Sequence, residues 1–88
     1  MKKRKILLLE DSPTQALKTT EILLSMGFEV ITKINGVEGL KYLEDNIENL
    51  PDLIITDIVM PEMNGYEFCR IAKERFPNTF VIVLTALR

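Results

Sequence analysis

The stretch that limits this chain most is Leu53-Ile54-Ile55, an apolar run closed two residues later by Asp57. It is too short for a helix and rich in β-branched residues, the pattern of a strand buried on both faces, as in a parallel sheet. A loop punctuated by Pro61 and Gly65 follows. An acid at the carboxyl end of a buried parallel strand stands where open α/β sheets place their ligands. A lone Asp there can simply turn the chain, so the rest of the sequence decides whether Asp57 does more.

Three further segments read as strands. Ile6-Leu7-Leu8-Leu9 is a second continuous apolar run, and it too ends in acids, Glu10 and Asp11. Phe28 to Thr32 and Phe80 to Leu84 are the others, the last followed by Thr85-Ala86. Between them lie three helical patterns, each announced by a side-chain cap. Ser12, with Pro13 at the first helical position and Gln15 completing a capping box, opens a helix over Pro13 to Met26 that Gly27 ends. Its apolar positions are Ala16, Leu17, Leu23 and Leu24, with Thr20 between them. Asn35 with Glu38 opens the second, whose stripe is Val37, Leu40, Leu43 and Ile47, and Leu50-Pro51-Asp52 breaks it. Asn64 with Glu67 opens the third, striped by Phe68, Ile71, Ala72 and Phe76, bordered by Cys69, and ended by Pro77-Asn78. The order βαβαβαβ predicts a parallel sheet with right-handed crossovers and helices on both faces.

Composition narrows the class. The 88 residues are 47% hydrophobic and 27% charged, as expected of one globular domain, residues 1–88, with no linker or repeat. Eleven basic and thirteen acidic residues leave a formal charge of −2, so nothing global points to nucleic acid. The cluster Lys2-Lys3-Arg4-Lys5 precedes an apolar run too short for a signal peptide, and no stretch approaches transmembrane length, so no membrane role is expected. A single cysteine excludes an intrachain disulfide, and the absence of histidine leaves no zinc site. A cytoplasmic setting is expected.

Glu10 and Asp11 leave the first strand, Asp57 the third and Thr85 the fourth, so the topology gathers all four on one sheet edge. With the first and third strands as neighbours, three carboxylates converge. Like charges so close resist ionisation unless a cation compensates them. Oxygen-only ligands suit a hard cation, and few carboxylates with several waters suit Mg²⁺ best.

The segments Leu8-Leu9-Glu10-Asp11-Ser12, Asp57 with Met60-Pro61-Glu62-Met63-Asn64-Gly65, and Val83-Leu84-Thr85-Ala86 resemble the receiver domain of two-component response regulators. The resemblance runs from Lys5 to Leu87, and the Asp-Ser-Pro-Thr-Gln-Ala and Ile-Val-Met-Pro stretches look most like receivers of hybrid histidine kinases and multi-receiver proteins. It implies a flavodoxin-like doubly wound sheet of order 2-1-3-4. It also implies that Asp57 accepts a phosphoryl group from a sensor histidine kinase or phosphotransfer domain. Glu10, Asp11, Asp57 and the backbone carbonyl of Val59 would hold Mg²⁺, Thr85 would hydrogen-bond the phosphoryl group, and Ala86 would leave it room. Val59 and Leu87 occupy positions that in this family tune the lifetime of the phosphoryl group. Family members have five strand–helix units, so the chain is expected to be an incomplete receiver, without the fifth strand, its lysine and the fifth helix.

Two other readings compete. A haloacid-dehalogenase-like phosphatase also forms an aspartyl-phosphate at a strand end, but it places a second Asp where this chain has Val59. A non-phosphorylated interaction module on the same scaffold is the third. A flavin-binding fold is disfavoured because Glu10-Asp11 would repel a phosphate after the first strand. In the 2-1-3-4 order the fourth strand forms an edge with no Lys or Pro to protect it. A homodimer across that strand is therefore expected, with a marginally packed monomer as the alternative.

Overall fold

The computed structural model describes residues 3–60 and 62–84. Four strands alternate with three helices: β1 Lys5–Leu9, α1 Pro13–Ser25, β2 Glu29–Lys33, α2 Gly36–Asp45, β3 Leu53–Asp57, α3 Gly65–Arg75 and β4 Phe80–Leu84. The sheet is parallel throughout, with strand order β2-β1-β3-β4. Strand β1 pairs on both sides and is buried along its whole length, which explains its unbroken apolar run. In register, Leu9 stands beside Thr56 on one side and Lys33 on the other.

The caps form as the sequence signals them, with one informative difference. Asn35 Oδ1 accepts from Glu38 N at 2.8 Å, and Asn64 Oδ1 accepts from Glu67 N at 2.9 Å. Ser12 Oγ likewise accepts from Gln15 N, at 3.4 Å. The other half of the expected box is diverted, because Ser12 N donates to Glu10 Oε2 at 3.2 Å. Helix α1 ends as predicted at Gly27, whose φ of 92° suits a residue without Cβ. Its N–H donates to Leu24 O and that of Phe28 to Leu23 O, the paired bonds of a Schellman turn.

The main core lies on one face of the sheet. Leu7, Leu9 and Ile54 meet Leu40 and Leu43 of α2 and Phe68 and Ala72 of α3, with Met60 and Phe76 closing the ends. Two expected members of the α2 stripe do not join it. Ile47 lies past the helix end, because α2 stops where Asn46 turns back on Tyr42 O and Leu43 O, and Val37 is exposed.

The opposite face departs further from expectation. Helix α1 packs over β1 and β2 and has no fully buried residue, with Leu17 60% and Leu24 54% exposed. Thr20 sits in its stripe because its hydroxyl meets that of Thr32 on β2 at 3.4 Å. Beyond α1, the β3–β4 part of this face is open: Phe80 is 70% exposed, and Ile82 and Leu84 are also exposed. Ile6, Phe28, Leu53 and Phe80 line a pocket of about 420 Å³ there. Among the described residues β4 is an edge strand, as the 2-1-3-4 order requires. No helix among them is long and apolar enough to cross a membrane.

Candidate functional site

The register builds the site. One residue beyond the Leu9–Thr56 pair, Glu10 and Asp57 leave adjacent strands side by side. Glu10 stays in the sheet because its N–H donates to Lys33 O at 3.0 Å. Asp11 follows at the turn into α1. Glu10, Asp11 and Asp57 each bring a carboxylate oxygen within 4.8 Å of the others. Glu10 and Asp57 are half-buried and Asp11 is exposed, so the cluster is open to solvent on one side.

Burial, and with it crowding, leaves an electrostatic signature. Burial pushes the Glu10 carboxyl above its ordinary value, and a hydrogen bond with the Asp11 side chain and the charges of Asp57 and Asp11 push the same way. The Ser12 N–H opposes the shift. The diverted capping bond therefore serves the site, since it steadies the carboxylate that burial and its neighbours disfavour. An all-oxygen cluster of three carboxyl groups of this kind fits a hard divalent cation.

Asp57 is held by its own backbone. Its Oδ1 accepts from Ile58 N at 2.8 Å. The carbonyl of the same peptide unit, Asp57 O, accepts from Thr56 Oγ1 at 3.0 Å. The next carbonyl, Ile58 O, accepts from Gly65 N at 2.8 Å, which brings the first residue of α3 against the end of β3. The loop between passes through Val59, 72% exposed, and through Glu62 at a φ of 69°.

The profile of the response regulator receiver domain matches residues 6–88. This chain belongs to that family. Its receiver is similar to the protein PilG of Pseudomonas aeruginosa, 33% identical over 84 residues that make up 93% of this chain and 60% of PilG. It also resembles the signal receiver domain of a signal transduction histidine kinase from Syntrophus aciditrophicus, with 41% identity and a TM-score of 0.86 over 97% of this chain and 64% of that one. A third likeness is to the response regulator TrrA of Thermotoga maritima, solved in complex with Mg²⁺ and BeF, at 32% identity and TM-score 0.87 over 96% of this chain and 70% of that one. The chain thus spans less than two thirds of PilG and of the Syntrophus receiver. Membership places it among the receiver domains of two-component signalling.

Of the residues the sequence singles out, the receiver brings Glu10, Asp11 and Asp57 together and sets Val59 on the adjoining loop. Thr85, with Pro61, Ala86 and Leu87, lies outside the described residues. Sequence reasoning misses Thr56 and the close approach of Gly65. A hydroxyl inside an otherwise apolar strand, next to the strand-end acid, is the signal that points to Thr56. For Gly65 only the tightness of the turn could speak.

Proposed function

We propose that this receiver is the phosphoacceptor of a two-component phosphorelay, taking a phosphoryl group on Asp57 from the phosphohistidine of a sensor histidine kinase or phosphotransfer domain. The observation that supports this most is the convergence of Glu10, Asp11 and Asp57 within 4.8 Å at the carboxyl edge of the sheet, in a chain of this family. A carboxylate oxygen of Asp57 attacks phosphorus; the O–P bond forms, the N–P bond breaks, and its electron pair returns to the imidazole. Glu10, Asp11, Asp57 and the Val59 carbonyl would hold Mg²⁺, and the ion would supply neutralisation of the charge that gathers there. Ile58 N–H fixes the carboxylate that attacks, and Thr85, outside the described residues, would hydrogen-bond the phosphoryl group.

On this reading residues 1–88 belong to a single receiver domain, work in the cytoplasm and serve as a signalling acceptor rather than a turnover enzyme. Among the described residues β4 is an uncharged edge strand with Phe80, Ile82 and Leu84 exposed, which supports self-association across β4 as a homodimer. Titration with Mg²⁺ followed by acetyl phosphate tests the functional reading against its rivals. A phosphoacceptor gains one metal-dependent phosphoryl adduct. An interaction module gains none, and a phosphatase turns over added phosphoesters.

A further inference from the structure

We propose that Thr56 and Gly65 are positioning residues for Asp57, acting together through the Asp57–Ile58 peptide unit. Thr56 is fully buried on the core side of β3, in register beside Leu9 and two residues along from Ile54. A hydroxyl there has to be hydrogen-bonded to be tolerated, whereas valine has the same shape and no such requirement. Packing alone therefore gives no reason for a threonine. Its Oγ1 reaches two acceptors, Asp57 O at 3.0 Å and Met60 Sδ at 3.6 Å. The thioether is the weaker acceptor, so the hydroxyl hydrogen belongs to the carbonyl.

That carbonyl is one end of a rigid plane. The planar peptide unit that carries Asp57 O also carries Ile58 N–H, and Ile58 N–H donates to Asp57 Oδ1 at 2.8 Å. Holding the carbonyl thus fixes the direction of the amide that aims the carboxylate. Gly65 approaches the same plane closely. A Cβ built on Gly65 would stand 2.3 Å from Asp57 O, and 3.1 Å from both Asp57 C and Ile58 Cα. Only a residue without a side chain lets α3 begin this close. Any methyl there must displace the backbone of the acceptor residue or the helix itself. The two residues define where the peptide plane sits, one by attraction and one by leaving space.

The consequence for phosphoryl transfer rests on the function proposed above, and the test separates the two. In ¹⁵N-labelled, metal-free protein, the Ile58 amide shift and exchange rate report its bond to Oδ1 directly. Thr56→Val should move the Ile58 resonance and speed its exchange roughly 3- to 10-fold, the range for one lost neutral hydrogen bond. Thr56→Ser should restore the parent values. Gly65→Ala should perturb Ile58 in the same way, and where that variant fails to fold, the valine and serine pair decides alone. Gly39→Ala is the control. Its methyl would meet Leu9 Cδ2 at 2.7 Å, a clash in the core, so it should lower stability and leave Ile58 in place. Acetyl phosphate with Mg²⁺ then gives the functional arm, in which Thr56→Val is slowed by a similar factor and Thr56→Ser is not. An Ile58 amide unchanged in Thr56→Val overturns the proposal. An amide that responds in a parent chain that takes no phosphoryl group upholds the positioning and sinks the phosphoacceptor reading instead.

Discussion

Asp11→Asn should stabilise the metal-free chain and yet leave it the weaker protein once Mg²⁺ is present. The carboxylates of Glu10, Asp11 and Asp57 stand within 4.8 Å of one another, so Asp11 takes part in two repulsive pairs. Asp11 is exposed, and at the dielectric of water each pair at that distance costs about 0.9 kcal/mol, or about 1.7 kcal/mol for the two. Screening at 0.1 M salt, where the Debye length is about 10 Å, leaves about 1 kcal/mol. In a domain this small that raises Tm by about 4–8 °C. With Mg²⁺ at a hundred times its dissociation constant the parent gains about 2.7 kcal/mol, a gain the variant largely forfeits. Urea denaturation at pH 8 in EDTA, and again in excess Mg²⁺, reads both halves. The order of stabilities should cross. If Asp11→Asn is no more stable than the parent in EDTA, the repulsion is not there and the argument fails.

Three further expectations follow from the same geometry. Folding raises the Glu10 carboxyl above its ordinary value of 4.5, so the fold holds that proton more tightly than the unfolded chain does. The stability this contributes is full below the ordinary value and is lost as pH rises through the raised one. Glu10→Gln should flatten the slope and exceed the metal-free parent at neutral pH, as urea titrations in EDTA will show. Leu17→Ala on the exposed face of α1 should change stability by no more than about 0.5 kcal/mol, whereas Leu43→Ala in the core should cost about 2–5 kcal/mol, a contrast read by thermal melts of dilute protein. Ile82→Lys should reduce self-association measured by light scattering at micromolar concentration. It is preferred to a change at Val81, which packs against the core and would destabilise the monomer as well.

Much of the fold and of the site is legible in the amino-acid sequence. The continuous apolar runs of β1 and β3 mark strands flanked on both sides, and the Asn35 and Asn64 caps locate the starts of α2 and α3. Strand-end acids and alternation together place the carboxylates on one edge. What stays hidden depends on partners the sequence does not state locally. The spacing of Leu17 and Leu24 shows that α1 has an apolar face, but not how far the sheet beneath it extends. Ile47 keeps helical spacing, but Asn46 ends α2 before it. The Ser12 box is complete in sequence, and only the nearness of Glu10 shows where the Ser12 N–H goes. Thr56 and Gly65 are hidden for a related reason, since their meaning lies in contact with a single peptide unit.

The central claim is that Asp57 accepts a phosphoryl group with the help of a divalent cation held beside it. The most direct measurement is exposure to acetyl phosphate and Mg²⁺, followed by borohydride reduction of the acyl phosphate and peptide mass mapping. The account predicts one reduced residue, Asp57, in the parent chain, absent in EDTA and absent in Asp57→Asn. A mark of equal yield in Asp57→Asn, on any other residue, or without metal would contradict it.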